Sequence, residues 1–124
     1  MLAGIYNIYC EQGSTLIRVF DIEYPTTEDP EVYEPLDITD YTARMQIRRL
    51  ITDPEPMLEL TTENGGLVVQ DEGVLGRISL YISAEQSSEL TSSGVYDIEI
   101  ISPDETLVER ILKGQFILDL EVTR

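Results

Sequence analysis

The stretch Tyr41-Thr-Ala-Arg-Met-Gln-Ile-Arg-Arg49 decides the fold class. Ala43, Met45 and Ile47 alternate with Thr42, Arg44, Gln46 and Arg48, the period of two expected of a strand with one face on a core and the other in water. The same stretch raises a question of function. The chain has only eight basic residues, yet Arg44, Arg48 and Arg49 fall together here. They can serve a ligand-binding strand, a docking edge for another protein, or local pairing against the acidic excess of the chain itself.

Working outward, strand signals continue in both directions. Ile5-Tyr-Asn-Ile-Tyr-Cys10 is rich in β-branched and aromatic residues, and Gly13 breaks it from Thr15–Glu23, where Phe20 and Ile22 share one face and Asp21 and Glu23 the other. Pro25-Thr-Thr-Glu-Asp-Pro-Glu-Val-Tyr-Glu-Pro35 has three prolines and four acids, so it cannot be a central strand and reads as a long hairpin insertion. Downstream, Asp53-Pro-Glu-Pro56, Asn64-Gly-Gly66 and Asp71-Glu-Gly73 mark turns between the short strands Met57–Thr61, Leu67–Val69 and Arg77–Ser83. Ser83–Leu90 is the one helix candidate, with Ser83 as N-cap and Gln86 at the capping-box position. Val95–Ile101 and a long strand from Thr106 to Leu118 follow, with Gly114 expected to mark a bulge or bend. Short strands, frequent turns and one short helix predict an all-β antiparallel β-sandwich, Ig-like or Greek-key, with residues 1–124 forming a single domain.

Composition narrows the function classes. The net charge of −16 opposes binding to nucleic acid or to anionic membranes, both of which depend on Lys and Arg neutralising phosphates. The absence of His removes the commonest general base and the commonest metal-ligating side chain. Cys10 is the single cysteine, so no internal disulfide or cysteine metal cluster is possible, and a buried thiol is expected. No membrane-spanning run and no signal peptide are visible, and the chain reads as made in a reducing cytoplasm.

Catalytic and metal constellations are weakly signalled. Glu28, Asp29, Glu31, Glu34 and Asp37 cluster near the Pro-rich segment, but the spacing of an EF-hand is missing and a solvated acidic loop is the simpler reading. With 24 acids, some carboxylate pair will meet the spacing of a glycosidase by chance. Ser87, Ser88, Ser92 and Ser93 have no His to activate them, and Gly65-Gly66 is followed by no phosphate-loop lysine. A non-enzyme without cofactor or metal is expected. The seven tyrosines are expected chiefly to fill the core with their hydroxyls at its rim, Tyr33 excepted, since a tyrosine between loop acids suits contact with a partner.

A family resemblance adds to this. Asp37-Ile-Thr-Asp-Tyr-Thr-Ala-Arg-Met-Gln-Ile-Arg48, Leu58–Gly66, Leu80–Ala84, Gly94–Ile100, Arg110–Phe116 and Glu121–Arg124, together with Tyr6–Gly13, occur in an order that resembles small tail and baseplate virion proteins of tailed bacteriophages. These are similar to the N-terminal β-sandwich domains of baseplate proteins that carry receptor-binding modules. Two departures stand out: the Pro25–Pro35 segment is longer and more acidic than the usual turn, and Asp40 stands where Gly is common. The resemblance implies a non-enzymatic structural protein of the virion tail, an adaptor joining tail or baseplate to a fibre or neighbouring subunit. It implies other virion proteins as partners, in a symmetric multimer. A carbohydrate- or receptor-binding module is the alternative, and an acidic DNA mimic follows from charge alone. Tyr33, Arg44 and Arg48 are the candidate partner-binding residues; Arg44 and Arg48 are expected to pair with acids across the sheet and to bridge to an acidic neighbour.

Overall fold

A computed structural model describes residues 3–26 and 32–123. Eleven strands, one 3-10 turn and one α-helix are seen among them: β1 (Gly4–Ile5), β2 (Ile8–Glu11), β3 (Leu16–Asp21), β4 (Glu23–Pro25), β5 (Tyr33–Pro35), β6 (Thr42–Arg48), β7 (Leu58–Thr61), β8 (Leu67–Val69), the turn Asp71–Gly73, β9 (Arg77–Ile82), α1 (Ala84–Glu89), β10 (Gly94–Ile101) and β11 (Val108–Asp119). The fold is an all-β sandwich. One sheet has the order β1-β11-β10-β6-β7, with β2 also on β11, and the other has the order β3-β9-β8. Pairing is antiparallel except that β1 and β2 run parallel to β11.

The alternation read in Tyr41–Arg49 is realised in β6. Ala43, Met45 and Ile47 are buried, and they meet Leu60, Ile98, Ile100 and Phe116 from their own sheet and Leu16, Ile78, Leu80 and Ile82 from the facing one in a single cluster. Each such aliphatic side chain contributes about 1.5–3 kcal/mol relative to exposure. Cys10 is buried with them, and burial pushes its thiol pKa up. β6 is bonded to β10 on one side and β7 on the other, so the arginine strand is no docking edge; its arginines lie on a sheet face.

Several local expectations hold. Ser83 Oγ accepts the Gln86 N–H and Gln86 Oε1 accepts the Ser83 N–H, a complete capping box on α1. Asn64 Oδ1 accepts the N–H groups of Thr61 and Gly66, which ties the turn between β7 and β8. The Pro-rich insertion leaves the sandwich as a separate two-stranded arm, with β4 and β5 paired antiparallel. Glu28, Asp29 and Glu31 lie outside the described residues. Asp40 has φ +62°, in the left-handed region that Gly adopts without strain.

Three expectations are corrected. The first strand is broken: β1 and β2 are separated by a jog at Tyr6 and Asn7, and both lie along β11. The bulge is at Ile111, not Gly114, because Ile98 pairs with Leu112 while Glu99 pairs with Arg110. The extra residue turns both Ile111 and Leu112 into the core, which is why two adjacent apolar residues are buried there. Gly114 serves another purpose. A Cβ there would collide with the Tyr6 carbonyl, so glycine lets the jog approach β11. Finally, the tyrosines do not fill the core. Tyr96 alone is fully buried, while Tyr6, Tyr9, Tyr24, Tyr33 and Tyr81 are exposed. The space is taken by aliphatic side chains, and the phenol of Tyr96 is used to donate to the Tyr6 carbonyl; burial raises its pKa to about 12.

Candidate functional site

The outward residues of the large sheet form a grid set by strand register. One row runs Glu59–Gln46–Asp97–Lys113 across β7, β6, β10 and β11, and the next runs Thr61–Arg44–Glu99–Arg110. A third row carries Arg48, Val95 and Gln115. Four of the eight basic residues of the chain therefore lie in these three rows, against Glu59, Asp97 and Glu99, while Glu11 and Asp119 lie further along the same face where β2 runs beside β11. Within these rows the cations outnumber the acids, four to three.

The predicted cross-strand pairing is present for Arg44. Its Nη2 is 2.8 Å and its Nε 2.9 Å from the same oxygen, Oε2 of Glu99. Both side chains are solvent-accessible, so the pair is worth about 0.2–1 kcal/mol. Arg48 is held differently. Its Nη1 donates to the Asp53 carbonyl at 2.7 Å and its Nη2 to Gln46 Oε1 at 2.6 Å, while Gln46 Nε2 donates to Glu59 at 2.5 Å. The guanidinium is oriented by two neutral acceptors and has no carboxylate within ion-pair distance among the described residues. Arg49 sits past the strand end and pairs with Asp53 at 3.4 Å.

Between these side chains lies an open groove of about 410 Å³. Val95 and Asp97 of β10 form its floor, Arg48 and Ile51 one wall, and Arg110, Lys113 and Ile5 the other. Ile51 and Ile5 are 83% and 78% exposed, so the groove has apolar rims that nothing among the described residues covers. Burial in the floor pushes the Asp97 carboxyl up, reinforced by Glu99 and opposed by Arg110, Arg44 and Arg48. Arg110 approaches Asp97 only to 3.5 Å, and Lys113 has no carboxylate partner among the described residues. The chemistry of such a face, with oriented cations, aliphatic rims and an open concavity, is compatible with a carboxylate-bearing, partly apolar surface.

Tyr33 is not part of this face. It stands on the β4–β5 arm opposite Pro25 and is 54% exposed. The residues that sequence reasoning missed are Lys113, Arg110, Ile5 and Ile51. Each looks ordinary in its own segment, and only the β6-β10-β11-β1 order brings them to Arg48.

No protein-family model matches the chain, and no curated protein matches it. Among solved structures it resembles a marsupial T cell receptor, with a TM-score of 0.50 and 13% identity over 91% of this chain. A second marsupial T cell receptor structure gives a TM-score of 0.47 and 13% identity over 95% of the chain. The chain spans about half the length of these receptor chains, 50% and 51%. The first likeness shows the sandwich to be immunoglobulin-like.

Proposed function

We propose that this chain is a non-enzymatic structural protein of a tailed-phage virion, an adaptor that joins the tail or baseplate to a fibre or neighbouring subunit. The observation that carries the docking part of this reading is the outer face of the large sheet, where Arg48 and Lys113 flank a groove without carboxylate partners among the described residues, on a chain of net charge −16. The virion part rests on the ordered segments from Tyr6 to Arg124 that resemble tail and baseplate proteins. Mass spectrometry of purified particles tests it: the chain is expected in stoichiometric, multiple copies, and its absence from the particle defeats the reading.

A second reading is favoured by the five exposed tyrosines, which no core requirement explains. Tyr9 at 63% exposed, or Tyr24 and Tyr33 on the arm, can stack on the apolar face of a sugar ring as a receptor-binding module would require. Binding on a glycan array that is lost in Tyr9→Ala or Tyr33→Ala favours this reading. Silence on the array removes it.

A further inference from the structure

We infer that the groove of one copy receives the β4–β5 arm of a second copy, head to tail. This rests on the reading of the sheet face as a docking surface, but not on the virion assignment. The two elements are complementary in charge and shape. The arm is two strands wide, about 5 Å between strand axes, and every described residue of it from Glu23 to Thr26 and from Val32 to Pro35 is exposed. Register places Tyr24 opposite Glu34 on one side of the arm, and Glu23 opposite Pro35 with Tyr33 opposite Pro25 on the other. Each side thus carries one tyrosine and one carboxylate, and the arm contains no basic residue.

The groove mirrors this arrangement. Arg48 on β6 and Lys113 on β11 stand on either side of β10, two strand spacings apart across the sheet and one row apart along it, about 12 Å between their backbones. A two-stranded blade fits between them with Glu34 toward one cation and Glu23 toward the other. The tyrosine rings then lie against Ile5, Ile51 and Val95, which supply the apolar contact that exposed ion pairs alone do not. None of the described arm residues lines the groove of its own chain, so the contact proposed is between copies. Arm and groove are different surfaces, so head-to-tail repetition of the contact builds a ring or an open helical array, whereas reciprocal exchange of arms closes a two-fold dimer.

The choice of a second copy follows from charge. The groove calls for carboxylates, and this chain presents them on an exposed projecting element. The net charge repels copies at long range, but at about 0.1 M salt that repulsion is screened beyond about 10 Å, while pairs in contact are screened less.

The test is sedimentation velocity on the full chain across a concentration series, with the charge-reversal variants Lys113→Glu and Glu34→Lys. Lys113 and Glu34 are both exposed, and far-UV circular dichroism confirms that each variant is folded. Wild type is expected to associate with rising concentration at about 0.1 M salt and to dissociate at about 1 M. Each variant alone is expected to remain monomeric. An equimolar mixture of the two is expected to regain association, because the reversed groove accepts the reversed arm. Wild type that stays monomeric throughout, association that strengthens with salt, or variants that associate like wild type each overturn the inference. Monomeric wild type in a protein still found in the particle removes only this contact. Self-association in a protein absent from particles removes only the virion assignment.

Discussion

Replacing Gly114 by Ala tests how the N-terminal jog closes the large sheet. An alanine Cβ would fall onto the Tyr6 carbonyl, 2.8 Å from its carbon, and 3.1 Å from Asn7 Oδ1. Backbone atoms of a strand paired on both sides of the jog cannot yield cheaply, so β1 and Tyr6 must move outward. That motion breaks three hydrogen bonds: Tyr96 Oη to the Tyr6 carbonyl, Tyr6 N to the Lys113 carbonyl at 3.0 Å, and Gln115 N to Asn7 Oδ1 at 3.0 Å. It also pulls Tyr6 off Phe20, whose ring it meets edge-on at 5.3 Å. Allowing about 1 kcal/mol for the part-buried Tyr96 bond, which water replaces least, and about 2–3 kcal/mol for overpacking against backbone, the expected loss is about 3–4 kcal/mol. From a total of about 5–15 kcal/mol this is a large share. It corresponds to a fall in Tm of about 12–16 °C for a domain of this size. Urea denaturation followed by far-UV circular dichroism measures it, with Gly73→Ala as the control. Gly73, unlike Gly114, has positive φ, at +75°, and open space around its Cβ, so its cost is confined to about 1–2 kcal/mol of backbone strain. A Gly114→Ala variant no less stable than the control refutes the close approach as the reason for glycine.

Other perturbations separate the residues of the docking face and test the fold around it. Arg44→Ala is expected to change stability by less than about 1 kcal/mol, since it removes one exposed pair, whereas Arg48→Ala is expected to cost about 1–2 kcal/mol by freeing the Asp53 carbonyl and Gln46; urea melts of the two single variants give the order. Asp40→Gly is expected to stabilise by about 0.5–1 kcal/mol because it relieves a non-glycine residue at φ +62°, and an unchanged denaturation midpoint contradicts that. Ser102 and Thr106 hydroxyls donate to Asp104 Oδ1, at 2.6 and 2.8 Å, and hold its pKa at about 2, below the ordinary 3.8. Its contribution is therefore complete above pH 3.8 and disappears as pH falls through about 2, so wild type should exceed Asp104→Asn in stability at neutral pH and converge with it in acid. Arg18 lies on β3, whose outer edge is unpaired, and its guanidinium covers the Ile17 carbonyl at 2.8 Å; Arg18→Ala is expected to promote aggregation measured by light scattering, and unchanged solubility argues against this guard.

What the sequence reveals is local. The alternation of Ala43, Met45 and Ile47, the Ser83–Gln86 capping box, the Asn64 turn and the proline-limited arm are each encoded within a few residues, so each is legible. Pairing partners are not. Nothing in Gly4–Glu11 announces that it runs parallel to β11, and Ile111-Leu112 reads as an ordinary apolar pair until register exposes the bulge. Tyrosine content predicts burial by average habit, yet aliphatic side chains from the two sheets fill the core and leave most rings outside. The arginines were visible as a cluster on one strand. The groove was not, because its cations and apolar rims come from positions 5, 48, 51, 110 and 113 and meet only through topology.

The docking surface proposed for this protein is the outer face of the β1-β11-β10-β6-β7 sheet. A reconstruction of the assembled particle at side-chain resolution tests it most directly. Arg48 and Lys113 are expected to be buried against carboxylates of a neighbouring subunit, with Ile5 and Ile51 covered. A particle that contains the protein with this face open to solvent contradicts it.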